Sequence, residues 1–239
     1  MTEPKDRVIV ALDYAELAPA LRMAEFVGSR VGMLKVGLEL FNSAGPAAIT
    51  AIREHGARVF YDAKLYDIPN TVAGAAAAIA RVGVAMFNVH ALGGVAMMVA
   101  ARQGADAGAR AAGFQPPLVI AVTIVTSLGD REVREELGIP STAGEAALRL
   151  AQLAKEAGLD GVVASVHEVA AIKRSCGRGF LVVTPGIRPS WAAAGDQARV
   201  ATPREALEAG ADYLVIGRPI TRADDPQAAL EAILGEMSD

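Results

Sequence analysis

Residues 60–71 of this 239-residue chain read Phe-Tyr-Asp-Ala-Lys-Leu-Tyr-Asp-Ile-Pro-Asn-Thr. Asp62, Lys64 and Asp67 carry charge at a spacing that could move a proton. In a β-strand, positions i and i+2 share a face. A strand that continues through Lys64 therefore presents Asp62 and Lys64 together at its C-terminal end. Asp67 follows in the turn, where Pro69 pushes Ile68 out of helical space. Asn70 or Thr71 is then placed to cap the Ala-rich helix beyond. Opposite charges this close favour each other's ionised form. A lysine held as an ammonium between two carboxylates is suited to donate a proton and unsuited to form a Schiff base, which needs the neutral amine. The plainer reading of an Asp-x-Lys pair is a structural ion pair at a strand end, since structural pairs also perturb ionisation.

Other charges recur at the ends of apolar runs. Asp13 closes Arg-Val-Ile-Val-Ala-Leu-Asp. Lys35 interrupts Met-Leu-Lys-Val-Gly-Leu, where a buried ammonium is costly without a partner. Asp13, Asp62 or Asp67 could be that partner, or the side chain could snorkel to water. Thr126 and Ser127 follow another apolar run. Late in the chain, Thr-Pro-Gly-Ile-Arg188-Pro and Gly217-Arg218 suggest an anion site. Glycine permits close backbone approach, and each arginine offers a fork of donors suited to phosphate oxygens. Between them, residues 190–199 are rich in small residues, as a closing lid would be. Trp191 and Gln197 within it are also ordinary loop residues.

These groups need elements to hold them. Strand-like runs are expected at 7–13, 33–36, 59–64, 84–89, 118–125, 161–165, 180–184 and 213–217. Helical periodicity is expected at 17–30, 45–55, 72–82, 93–112, 143–157, 167–175, 203–209 and 226–235, with a short extra helix near 132–137. Eight strands alternating with eight helices imply parallel pairing through helical crossovers. The fold class is therefore α/β, a (β/α)8 TIM barrel forming a single domain over residues 1–239, with its active site at the C-terminal strand ends. An open doubly wound sheet is the alternative. Against it, no Gly-x-Gly-x-x-Gly follows the first strand and no Walker A sequence is present.

Composition narrows the function. Apolar residues make up 52% and aromatics 5%, so a large core must be built from Ala, Val, Leu and Ile. A net charge of −4 without Lys/Arg clusters argues against nucleic acid as a partner. Cys176 stands alone, which excludes an internal disulfide framework and suits a reduced cytosolic setting. His55, His90 and His167 lack metal-ligand spacing, and His90, at a strand end, reads as a hydrogen-bonded barrel residue. Ser127 lacks the Gly-x-Ser-x-Gly setting of an acyl-transfer nucleophile. The uncharged stretch 82–101 has the length of a membrane span. Its Gly83, Asn88, His90, Gly93 and Gly94 instead suit a buried strand followed by a helix start.

Taken in order, Val-Ala-Leu-Asp13, Lys35-Val-Gly-Leu, Asp62-Ala-Lys64-Leu-Tyr-Asp67-Ile-Pro-Asn-Thr71, Val-Thr126-Ser, Pro-Gly-Ile-Arg188-Pro, Gly-Asp-Gln197 and Ile-Gly217-Arg218-Pro resemble the motifs of the orotidine 5′-phosphate decarboxylase family across essentially the whole chain. The resemblance implies loss of CO₂ from C6 of orotidine 5′-monophosphate to give uridine 5′-monophosphate, with no cofactor and no metal. It implies that Lys64 protonates C6, that Asp62 lies against the leaving carboxylate, and that Lys35 and Asp67 complete the catalytic array. Asp13 and Lys35 would touch the ribose, and Thr126 and Ser127 the pyrimidine. Gln197, Gly217 and Arg218 would hold the phosphate, with Arg188 nearby. Ile68 belongs to the same matching stretch. Asp67 and Thr71 would reach the site of a neighbouring subunit, which implies a homodimer; the lone cysteine and the charge balance add the expectation of a cytoplasmic setting with no nucleic-acid or membrane partner. Two rivals remain: a related Mg²⁺-dependent sugar-phosphate barrel enzyme that shares Asp-x-Lys-x-x-Asp, and a non-catalytic nucleotide-binding barrel.

Overall fold

The computed structural model describes residues 3–191 and 201–238. In chain order these form β1 (Val8–Ala11), α1 (Leu17–Val27), β2 (Met33–Val36), α2 (Leu38–Ala44), α3 (Pro46–Glu54), β3 (Val59–Leu65), α4 (Pro69–Arg81), β4 (Met86–His90), α5 (Gly94–Ala112) and β5 (Leu118–Val122). Then follow α6 (Asp130–Glu135), α7 (Ala143–Glu156), β6 (Gly161–Val163), α8 (Val166–Cys176), β7 (Leu181–Thr184), α9 (Pro203–Ala209), β8 (Tyr213–Ile216), α10 (Arg218–Thr221) and α11 (Pro226–Ser238). The strands close in sequence order into a parallel barrel, with β1 paired to both β2 and β8. The (β/α)8 fold expected from the alternation of elements is the one observed.

Two layers of apolar side chains hold it. Inside the barrel, Ile9, Met33, Phe60, Met86, Ile120 and Val183 form one cluster. Outside, the opposite strand faces (Val8, Val10, Leu34, Val59, Phe87 and others) pack against the helices. Both strand faces are therefore apolar, as a sheet covered on both sides requires. The inner cluster also sets the parity of the site: Lys35, Asp62 and Asn88 each stand two residues beyond an inward-facing residue, namely Met33, Phe60 and Met86.

The helices start on local signals. α3, α4 and α9 open with proline, whose missing N–H costs nothing there. α7 and α9 carry Thr-x-x-Glu capping boxes, with Thr142 and Thr202 accepting from the amides of Glu145 and Glu205. α5 lies close against α4 because a Cβ at Gly104 or Gly108 would come 2.2 Å from the carbonyl oxygens of Ala73 and Ala77.

Several boundaries differ from expectation. The first strand is shorter than 7–13, because Leu12 and Asp13 already belong to the loop. Helix α2 was not expected: it follows β2 after Gly37, places Phe41 on Tyr61 with ring centroids 4.4 Å apart, and stops at Gly45, whose φ is +63°. Helix α4 begins at Pro69, so Ile68 occupies the cap position and neither Asn70 nor Thr71 is the cap. The uncharged stretch 82–101 divides into β4 and the start of α5. Among the described residues no helix is long and apolar enough to cross a membrane.

Candidate active site

At the C-terminal rim the inward parity brings together four charged side chains from three loops and strands. Lys35 Nζ lies 3.2 Å from Asp13 Oδ1 and 3.2 Å from Asp62 Oδ2, and Lys64 Nζ lies 2.7 Å from Asp62 Oδ1. The order in space is Asp13, Lys35, Asp62, Lys64, with alternating sign. The sequence left open whether Lys35 is buried with a partner or snorkels; it is 8% exposed and paired on both sides. Gly37 leaves it room, since a Cβ there would sit 3.1 Å from Lys35 Nζ.

Ionisation follows from these neighbours. Burial alone would push the Lys35 ammonium down, but Asp62 and Asp13 outweigh it and raise the net value. Burial would likewise push the Asp62 carboxyl up. The charges of Lys35 and Lys64, with hydrogen bonds from Lys64 and Asn88, turn the net shift downward. Lys35 and Asp62 are thus each held charged in a largely buried place.

The strand carrying Asp62 and Lys64 is not regular. Its register against β4 shifts between Tyr61 and Leu65, and Lys64 has φ +49°, the one non-glycine residue with positive φ among the described residues. A left-handed lysine costs about 1–3 kcal/mol and persists only where its surroundings hold it. The two charges still reach one face, as i and i+2 spacing predicts; the irregularity lies in the backbone between them and in the left-handed turn at Lys64. Asn88 was not singled out by sequence reasoning, yet it meets both residues. Its Nδ2 donates to Asp62 Oδ1 at 2.7 Å, and its Oδ1 accepts from the Lys64 amide at 2.7 Å. The available signal was its parity, two residues beyond inward-facing Met86. His90, two residues further, is half-buried; its ring packs at a tilt on Tyr66, with centroids 5.9 Å apart. Burial, then the Lys64 charge, push its imidazole below the usual histidine value.

Two joined cavities open on the array. One, of about 320 Å³, is lined by Lys35, Asp62 and Lys64, by Thr126 and Ser127, and by an apolar wall including Val122, Val163 and Val183. The other, of about 230 Å³, shares Lys35 and Asp62 and adds Asp13, Arg188, Gly217 and Arg218. One compartment is thus mostly apolar with charge at one side, and the other is polar with two arginines. Arg188 is held on its stiff turn by a backbone bond from its amide to Ala201 O. α10 begins at Arg218, directly beyond β8.

Asp67, Ile68 and Thr71 are exposed and line neither cavity of this chain. The Asp67 carboxylate is turned to the Ile68 amide, 2.6 Å away. The expectation from spacing that two carboxylates flank Lys64 therefore holds within one chain for Asp62 only. Gln197 lies outside the described residues. Among the described residues no group of three or more His, Cys, Asp or Glu is arranged to hold a metal ion.

Fold and site together define a (β/α)8 barrel enzyme with a charged, substrate-sized cleft at the C-terminal rim of its strands. The model of the orotidine 5′-phosphate decarboxylase / HUMPS family matches residues 6–233, and the chain belongs to that family. It is 53% identical over 233 residues to the orotidine 5′-phosphate decarboxylase of Moorella thermoacetica, covering 98% of this chain and 92% of that one. It is 52% identical to the enzyme of the same name from Alkalilimnicola ehrlichii, covering 97% and 96%. Among solved structures, that of orotidine 5′-phosphate decarboxylase from Lactobacillus acidophilus superposes with a TM-score of 0.86 at 41% identity, covering 97% of this chain and 99% of that one.

Proposed function

We propose that this chain decarboxylates orotidine 5′-monophosphate to uridine 5′-monophosphate, in pyrimidine biosynthesis, using its own side chains and no cofactor. The overall activity is supported by family membership and by near-full-length relatives of that name at about half identity. The residue roles rest on one observation: charge alternates along Asp13, Lys35, Asp62 and Lys64, each contact 3.2 Å or shorter, and the last three line one cavity.

The C6–carboxylate bond breaks and its electron pair stays on C6 while CO₂ departs. No π system takes up that pair, so the site must meet a localised negative charge. Lys64, as an ammonium already fixed beside Asp62, provides that counter-charge without reorganising. It then gives its proton to C6, becomes the amine, and is reprotonated from water. Asp62 faces the substrate carboxylate, a contact that repels in the ground state and is relieved as CO₂ leaves. Binding energy from the remote phosphate offsets it. Gly217 and Arg218, with Arg188 and Gln197, hold that phosphate in the polar compartment. Asp13 and Lys35 meet the ribose. Thr126 and Ser127 border the pyrimidine, which fills the apolar compartment.

A homodimer completes the array. Asp67 and Thr71 are spent on no part of this chain's cleft, and beside them Tyr66 and Ile68 are 62% and 66% exposed. A second copy covering this face would bury those side chains and bring its neighbour's Asp67 toward Lys64. The setting is cytoplasmic.

The family also includes HUMPS-type members, and the rival reading is a Mg²⁺-dependent sugar-phosphate enzyme. Mg²⁺ seeks carboxylate oxygens. Here Asp13 and Asp62 are bridged by the Lys35 ammonium, which supports chemistry without the ion. The test is the ultraviolet absorbance change when the purified protein meets orotidine 5′-monophosphate in EDTA. Turnover there, unaltered by added Mg²⁺, is expected. Activity lost in EDTA and restored by Mg²⁺ would favour the rival, and tight binding of uridine phosphates without turnover would favour a binding protein.

A further inference from the structure

Asn88 is 1% exposed, inside the barrel, and its amide spans two parts of the array. Its orientation is set by its partners: the Lys64 N–H can meet only the oxygen, and the Asp62 carboxylate can take only the nitrogen's hydrogen. These two bonds lie where the register of β3 against β4 shifts, and there the Lys64 amide is paired with this side chain. The same side chain fills a place on Asp62 Oδ1 beside Lys64 Nζ.

We propose that Asn88 is a positioning residue for the decarboxylation. It fixes the left-handed turn at Lys64 and the rotamer of Asp62 together, and so aims the Lys64 ammonium into the cavity. The proposal rests on the roles assigned above to Lys64 and Asp62. It makes Asn88 act through them, with no contact to the reacting carbon.

The test compares Asn88→Ala and Asn88→Asp with the unaltered protein, measuring kcat and KM for orotidine 5′-monophosphate across pH and, separately, binding of uridine 5′-monophosphate. Asn88→Ala is expected to lower kcat by about 10–100-fold, the size seen when the groups that orient a reactive ligand are lost. KM and product binding should move little, because the phosphate contacts are untouched. Asn88→Asp keeps the acceptor for the Lys64 amide but sets a second carboxylate against Asp62. Like charge raises the introduced carboxyl's pKa. Below that value its O–H donates to Asp62 as the amide did. The kcat of Asn88→Asp relative to the unaltered protein should therefore climb as pH falls.

A role in packing alone predicts no such recovery. A kcat for Asn88→Ala within about twofold of the unaltered protein would overturn the proposal. So would a flat or falling ratio for Asn88→Asp as pH is lowered. If Asn88→Ala does not fold, the pH course of Asn88→Asp decides. If neither folds, Asn88 is a stability residue and the proposal fails. Absence of turnover in the unaltered protein would instead reject the function itself.

Discussion

Lys64 at the C-terminal rim and Lys173 at the N-terminal rim are each paired with an aspartate, and they differ in what their other N–H groups do. Lys173 Nζ donates to Asp212 at 2.6 Å and to the carbonyls of Phe180 at 2.9 Å and Arg178 at 3.1 Å. An ammonium has three hydrogens, so it is saturated. Asp212, just before β8, also accepts from the Val182 amide at the start of β7. Asp160, just before β6, repeats the device with Arg102 and the Val119 amide. Lys64 Nζ has only Asp62 as a partner among the described residues and faces a cavity with hydrogens to spare. The same pair chemistry is closed by main chain at one rim and left open to a cavity at the other, where the function proposed above puts the proton donor. A structural pair, the plainer reading of Asp-x-Lys, describes the closed pair of the N-terminal rim, and the open pair of the C-terminal rim is what the proposed function requires.

The largest expected effect separates the two rims by activity. Lys64→Ala should cost at least about 10³-fold in kcat, the combined scale of a lost proton donor and a lost preorganised counter-charge. Binding of uridine 5′-monophosphate should survive. Lys64→Gly should be as inactive but about 1 kcal/mol more stable than Lys64→Ala, because glycine accepts the left-handed φ without a Cβ penalty. Retained turnover would remove Lys64 as donor, and equal stability of the two variants would show that the turn carries no strain. At the other rim, Asp212→Ala strands a mostly buried ammonium and the Val182 amide. It should destabilise by about 3 kcal/mol, roughly 6–12 °C in Tm for a chain of this size, with kcat unchanged well below the transition. A large fall in kcat for Asp212→Ala would break the division between the rims.

What was legible in the sequence follows the same division. Lys35, Asp62 and Lys64 stand out because charge interrupts apolar strand runs, and period-two counting gives their shared face. Gly217 and Arg218 follow from the order of the strands. The left-handed turn at Lys64 was not legible, because its cause is a register shift against β4, a relation between two strands. Asn88 was missed for the same reason: its partners are 24 and 26 residues away. Asp160 and Asp212 look like loop residues until β5 and β7 lie beside them, with Arg102 and Lys173 distant in sequence by 58 and 39 residues. α2 was passed over because it follows β2 with only Gly37 between, leaving no loop to announce it.

The smallest effect is a change of slope with pH, and it tests whether Asp62 is held ionised by the lysines. Its carboxyl lies below the usual aspartate range in the fold: burial opposes the charge, but Lys35 and Lys64 prevail. A group depressed in this way contributes stability that is fully present above its unfolded value and is lost as pH falls through its folded value. Asp62→Asn cannot titrate, and it leaves Lys35 and Lys64 facing each other with Asp13 alone between the rim and solvent. The stability gap between the unaltered protein and Asp62→Asn, read by chemical denaturation, should therefore stay constant from neutral pH down to about pH 4 and narrow below it. A gap that persists unchanged at the acid end would mean the lysines do not hold Asp62 charged, and the open rim would lose the electrostatic contrast on which the role of Lys64 depends.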